Sequence, residues 1–233
     1  MTKTIFQSAL FLHVIAGTLA LASGLVAMSY GKKGGKVHNF SGQVFYWAMF
    51  FVFITTILFF VIYPEKLKYQ FFLTIGIVSF YPAWSGKRML SMKKGFVPTW
   101  YDKFGGFLIG VSGLVMITYG VYGFLNPDKF GGLQYLFLVF GMVSLMNSYG
   151  DLKYYLNFQT APKMHWFFAH GGKMMGAYSA AITAFCVNIV PRYLPENFPT
   201  YGYLITWIAP GLIIGVIANI ILKRYKLKFK IAE

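Results

Sequence analysis

The sequence has few acidic residues: six aspartates and glutamates stand against 21 lysines and arginines in 233 residues. All six lie at the ends of long apolar runs, in the connections between them or at the terminus, so no carboxylate is predicted at mid-membrane depth. Proton relays and cation-coupled transport sites use such carboxylates, and both are disfavoured. The six are Glu65, Asp102, Asp128, Asp151, Glu196 and Glu233.

Several other signatures are missing. Cys186 is the single cysteine, so no disulfide can form within the chain. The sequence has no glycine-rich phosphate loop and no nucleophile elbow, which are the marks of nucleotide-binding proteins and serine hydrolases. The last apolar run has no lysine before Lys223, which disfavours a retinal pigment. After these exclusions, the histidines are the side chains left as candidates for a chemical function.

Apolar residues are abundant. Hydrophobic residues make up 57% of the chain and charged residues 12%, whereas a soluble domain has about 25% charged residues. The net charge of +15 would suggest nucleic-acid binding in a soluble protein. Here the lysines lie in short connections, where they act as topology signals and contact anionic lipids on the cytoplasmic side. The composition therefore predicts a polytopic membrane protein that binds no nucleic acid.

Seven apolar runs are near the roughly 20 residues that a helix needs to cross a bilayer. The predicted fold is thus an all-α bundle of seven transmembrane helices in one domain over residues 1–233. The first run also fits a cleaved signal peptide, but its weak basic region and its histidine favour a retained helix. The predicted spans are about 5–28, 41–63, 69–85, 104–125, 133–150, 164–190 and 204–222.

The positive charges alternate between the two sides of these spans. The first, third and fifth connections and the C-terminal tail hold 15 lysines and arginines, whereas the N-terminus and the even connections hold 5. Because cytoplasmic loops are rich in lysine and arginine, the N-terminus is predicted outside and the C-terminus in the cytoplasm.

All four histidines lie in or beside the spans. His165 and His170 lie in the sixth span with Lys173, His13 lies in the first, and His38 lies just before the second. Ionisable residues in a membrane are costly and usually face the bundle interior or a cavity. These residues are therefore the candidate functional residues.

Helical periodicity places the candidates on faces of small residues. At about 100° per residue, His165 lies in line with Gly172 and Gly176, His170 lies beside Lys173, and His13 shares a face with Gly17. The fourth span likewise has one face of glycines. The alternative interpretation is that these faces pack against other helices and that the histidines make ordinary interfacial hydrogen bonds. The glycines of the fourth span are Gly106, Gly110, Gly113 and Gly120.

The leading hypothesis is a b-type haem bound by imidazoles of facing helices, with a role in electron transfer. His13 and His170 are the predicted axial pair, and Lys173 is predicted to pair with the haem propionates. At 1.5 Å per residue, the two histidines are offset by about 9 Å along the membrane normal. If helix tilt does not remove this offset, His38 or His165 replaces one of them. A quinone or another redox protein is the expected partner.

Two alternatives come from other classes. A zinc-dependent membrane hydrolase would use His38, Asp151 and His165 as metal ligands, with an open coordination position for water. A non-catalytic membrane subunit or a carrier of small molecules would use none of the histidines chemically. An absorption spectrum with metal analysis distinguishes the three hypotheses.

Three stretches carry a family resemblance: Leu12-His13 with Gly17, the stretch from Lys36 through His38 to Gly42, and the stretch from His165 to Tyr178. With them the chain resembles bacterial inner-membrane proteins that share a domain of unknown function. The resemblance implies an integral protein of the bacterial inner membrane. More loosely, the chain is similar to the haem bundles of cytochrome b and ferric reductases. Those families space histidines about two heptads apart on one helix, whereas His165 and His170 are five residues apart.

Overall fold

The computed structural model describes residues 2–30, 32–195 and 200–231. In these ranges the chain forms α-helices joined by short connections, and it has no β-strand. The prediction of an all-helical chain is therefore confirmed. The helices are α1 Thr2–Ser29, α2 Lys36–Ile62, α3 Leu67–Met89, α4 Trp100–Leu125, the one-turn α5 Pro127–Phe130, α6 Leu133–Tyr155, α7 His165–Ile189 and α8 Thr200–Lys228.

Four of these helices are long and apolar enough to cross a membrane: α1, α2, α4 and the part of α8 from Ile205 to Lys228. This confirms the membrane character of the protein. The helices α3, α6 and α7 are comparably long but less apolar, since they include Arg88, Asp151 and Lys173.

The helices extend beyond the predicted spans. The third was expected to end near residue 85 and the fifth near residue 150, but α3 continues to Met89 and α6 to Tyr155. Charged residues at the end of a membrane helix do not stop it, because long side chains reach the interface or a partner. Asp151 therefore lies inside α6 and is only 4% exposed, instead of lying just beyond a span.

Three pairs of helices lie side by side: α1 with α2, α4 with α6, and α7 with α8. The helix α3 lies between these pairs and contacts α2, α4, α6 and α7. The side chains of Tyr81 and Ser85 and the carbonyl of Gly86 are consequently in the middle of the bundle, close to one end of it. The candidate site lies at this end of the bundle.

The glycine face of α4 packs against α6, as its pattern suggested. A Cβ atom at Gly113 would lie 2.9 Å from the carbonyl oxygen of Gly141, and one at Gly110 would lie 2.6 Å from Oγ of Ser148. Small residues let helix backbones approach closely in membranes. The α4–α6 pair is therefore a packing interface, and this part of the alternative interpretation holds.

Candidate functional site

Two histidines from different helices face each other at one end of the bundle. His38 lies in the first turn of α2, and His170 lies in the second turn of α7. The centres of their rings are 6.4 Å apart, and the ring planes are inclined by 79°. The structure thus brings two of the four candidate histidines together.

Each of these rings is held by a backbone carbonyl. Nδ1 of His38 lies 2.9 Å from the carbonyl oxygen of Ala27, and Nδ1 of His170 lies 2.9 Å from that of Gly86. Because a carbonyl oxygen only accepts, both Nδ1 atoms must donate. In the neutral ring Nε2 then keeps its lone pair, which is the tautomer found in metal-binding histidines whose other nitrogen donates to a carbonyl.

Gly86 makes the hydrogen bond to His170 possible. A Cβ atom at this position would lie 3.0 Å from Cβ of Lys173 and 3.6 Å from the carbonyl oxygen of His170. A side chain at residue 86 would therefore require Lys173 to move by a few tenths of an ångström, so the glycine allows α3 and α7 to lie this close.

Both rings line a cavity of about 560 Å³ between α1, α2, α7, α8 and the end of α3. Its walls are mostly apolar and include Gly42, Trp166 and Leu222. Cofactor pockets have this character, with volumes of roughly 300–1,000 Å³ and a few polar groups that orient the ligand. We call it the histidine cavity.

Three lysines border the histidine cavity: Lys33, Lys87 and Lys93. Nζ of Lys33 donates to the carbonyl oxygens of Ala27 and Met28, and burial lowers the pKa of this lysine, which lies in the connection between α1 and α2. Nζ of Lys87 lies 3.8 Å from the centre of a tyrosine ring. The cavity therefore combines two imidazoles inside with positive charge at its rim.

His13 lies away from this cavity. Its Nδ1 is 2.7 Å from Oγ1 of Thr55 on α2, and its ring packs against Phe59. Ala27, which binds His38, is fourteen residues further along α1, or about 21 Å at 1.5 Å per residue. His13 does not line the cavity that His38 and His170 share, so the structure does not bring His13 and His170 together.

His165 lies on another side of α7. Its ring centre is 4.4 Å from that of Tyr154 and 5.3 Å from that of Phe96. It lines a second cavity, of about 380 Å³, with Asp151 and Lys173. We call this second cavity the α6–α7 groove.

Lys173 and Asp151 form a buried ion pair. Nζ of Lys173 lies 2.6 Å from Oδ2 of Asp151 and 3.1 Å from Oγ of Ser85, and the hydroxyl of Tyr81 donates to the same Oδ2 over 2.5 Å. Lys173, predicted to pair with haem propionates, thus pairs with a carboxylate of the protein. Each charge compensates the other, which is what permits both to be buried.

A second ion pair lies at the start of α4. The guanidinium of Arg88 donates two hydrogen bonds to Asp102, whose side chain is 0% exposed, and Asp102 also accepts from the backbone and hydroxyl of Thr99. The Thr99–Asp102 contacts form a capping box, which the Thr-x-x-Asp spacing could have revealed. This pair fixes the junction between α3 and α4.

The residues proposed for zinc do not form one site. His38 lines the histidine cavity, whereas Asp151 and His165 line the α6–α7 groove. Over the described ranges no three histidine, cysteine, aspartate or glutamate side chains come together as a group that could hold a metal ion. A zinc site needs three or four such ligands, so the structure does not assemble the set His38, Asp151 and His165.

The sequence alone did not reveal several residues of these sites. Tyr81 and Ser85 lie in the predicted third span and Gly86 directly follows it, and none of them is a candidate in the sequence analysis, although Tyr81 and Ser85 are four residues apart and so share a helix face. Lys33 and Lys87 were counted only as topology signals. A polar pair at i and i+4 within an apolar run was the available signal.

No family model matches this chain, and comparisons with curated proteins and with solved structures also give no match. The family resemblance drawn from the three sequence stretches therefore stays a prediction. Any functional conclusion has to come from the geometry of the sites.

Proposed function

We propose that this protein binds a b-type haem in the histidine cavity, where the imidazoles of His38 and His170 would hold it, and that it acts in electron transfer. The separation of the two rings carries the proposal. An imidazole nitrogen binds a metal ion at about 2.0–2.1 Å, so two rings that share an ion from opposite sides have centres about 6–6.5 Å apart. The observed separation is 6.4 Å.

The number of protein ligands favours haem over a bare metal ion. A zinc ion would need three or four side-chain ligands, and the histidine cavity offers two. A haem supplies four nitrogens itself and needs one or two axial side chains. When bound, the group supplies one-electron chemistry. The two imidazoles and the apolar walls of the cavity would hold it.

The walls also suit a flat macrocycle with carboxylates at one edge. Gly42 lines the cavity, and a Cβ atom there would meet nothing within 4 Å, so there is open space beside the helix. Lys33, Lys87 and Lys93 at the rim provide positive charge for two propionates. These lysines take the role first expected of Lys173.

We further propose that α1, α2, α3, α4, α6, α7 and α8 each cross the bacterial inner membrane, with the N-terminus outside. The 15 to 5 bias of positive charge supports this orientation. A C-terminal fluorescent fusion should be bright in cells, because the C-terminus would be cytoplasmic. An active periplasmic reporter at the same site, with a dark fusion that is stably inserted, would reverse the orientation.

The test of haem binding is the absorption spectrum of the detergent-purified protein, with pyridine haemochrome and metal analysis of the same sample. The expected result is a Soret band and about one haem per chain. Stoichiometric zinc without haem would support the hydrolase alternative. A sample that contains neither haem nor zinc would support a carrier or a structural subunit.

A further inference from the structure

The α6–α7 groove is separate from the histidine cavity and has its own chemistry. It runs between two helices that are bridged by the Lys173–Asp151 ion pair. Met146, which is 72% exposed, lies on its outer wall. The outer surfaces of a membrane bundle face lipid, so a ligand can reach this groove sideways from the bilayer.

The charges in the groove favour a neutral ligand. Lys173 is the cation that lines it, and the carboxylate of Asp151 already lies 2.6 Å from its ammonium group. An anionic lipid headgroup would have to compete with that carboxylate, because a buried charge stays paired. The groove therefore suits a neutral molecule that forms hydrogen bonds.

The same groove presents both donors and acceptors. Nζ of Lys173 has three hydrogens, and two of them go to Ser85 and Asp151. Both recorded bonds to Asp151 end on Oδ2, which leaves the lone pairs of Oδ1 available. Within the described part of the chain, the imidazole of His165 makes ring contacts but no hydrogen bond.

We propose that the α6–α7 groove binds the ring of a membrane-soluble quinone. The carbonyl oxygens of the oxidised ring would accept from Lys173 and His165, and the hydroxyls of the reduced ring would donate to Asp151. An apolar tail would leave past Met146 into lipid. The choice of a redox-active ring rests on the proposed haem function, but the binding contacts do not depend on haem.

Gly150 allows a test that leaves both ion pair and fold intact. It lines the groove, and a Cβ atom there would meet nothing within 4 Å. Gly150→Leu therefore fills the groove and replaces a poor helix former with a good one. Gly17→Leu is the matched control, since Gly17 is also open but lies on α1.

The experiment is photolabelling of the purified protein in nanodiscs with a short-chain azidoquinone, followed by mass spectrometry of the labelled peptides. Wild type and Gly17→Leu should be labelled within 143–151 and 165–173. In Gly150→Leu the label there should fall at least tenfold. The double variant Asp151→Asn/Lys173→Met, which buries no unpaired charge, should show a similar loss.

Equal labelling of wild type and Gly150→Leu, or label spread over all outer helix faces, overturns the proposal. The haem spectrum of the same samples separates the two proposals. Label in the groove of a protein without haem supports the quinone site and contradicts the haem site. A normal haem spectrum with no label in the groove supports the haem site and contradicts the quinone site.

Discussion

His13 and the His38–His170 pair are the same residue type in two regions of one bundle, and their surroundings differ. The pair is held by backbone carbonyls, which accept only, and it lines a cavity. His13 lies beside the hydroxyl of Thr55, whose own hydrogen points at backbone carbonyl oxygens of α2, and its ring packs against Phe59. The partner of Nδ1 is therefore an acceptor in both regions, and what distinguishes the pair is the open space that its rings line.

The largest expected effect is that of removing either ring of the pair. In His38→Ala and in His170→Ala, haem content should fall at least tenfold, because one axial bond is lost. The measurement is the Soret absorbance per protein after purification in the presence of added haemin. If both variants keep the low-spin spectrum of wild type, the assigned pair is wrong.

Closing the cavity should have the next largest effect. Gly42→Leu places a side chain in the open space beside α2 and keeps both histidines in the chain. Haem content should fall several-fold while the protein stays monodisperse in size-exclusion chromatography. Gly17→Leu, in a comparably open position on α1, serves as the control and should keep wild-type haem content.

Removing one rim lysine should weaken haem binding moderately. An exposed or half-exposed ion pair contributes about 0.2–1 kcal/mol, so Lys93→Met should raise the dissociation constant for haem by up to about fivefold. The effect should shrink in high salt, since surface ion pairs are screened. Haemin titration at two salt concentrations measures both. Lys153→Met, on α6 away from the histidine cavity, should leave the constant unchanged.

The smallest effect on haem binding should come from a substitution in the region around His13. His13→Leu should leave haem content unchanged and lower the free energy of unfolding by about 1 kcal/mol, the usual size of one hydrogen bond. Thermal unfolding in detergent measures the second quantity. Loss of the haem spectrum in this variant alone would restore the first predicted pairing of His13 with His170.

The helices themselves follow directly from the sequence, because runs of about 20 apolar residues have few alternatives in a membrane. Their ends do not. Nothing local distinguishes Asp151 as the first residue after a helix from Asp151 inside α6. The difference depends on Lys173, 22 residues further along, and on Tyr81, 70 residues earlier. The ion pair and the hydrogen bond that stabilise the buried carboxylate form only after the helices have packed.

The choice between His13 and His38 shows the same limit. The sequence pattern places His13 on a face with Gly17 and His38 just before the second span, and neither position shows which histidine lies near His170. What decides is that the end of α1 meets the start of α2, which places the carbonyl of Ala27 beside His38. The residue that lies near His170 is therefore a property of the tertiary structure.

His170 and Lys173 are three residues apart on α7, and each lines a different cavity. Charges in the two cavities are therefore close enough to interact across this short stretch of α7. Two unit charges about 10 Å apart at an effective dielectric constant of about 20 interact by about 1.7 kcal/mol. If both cavities are occupied as proposed, a change of charge in one would alter affinity in the other, and by thermodynamic reciprocity the reverse would hold equally. The charge in the α6–α7 groove and the midpoint potential in the histidine cavity should accordingly shift together.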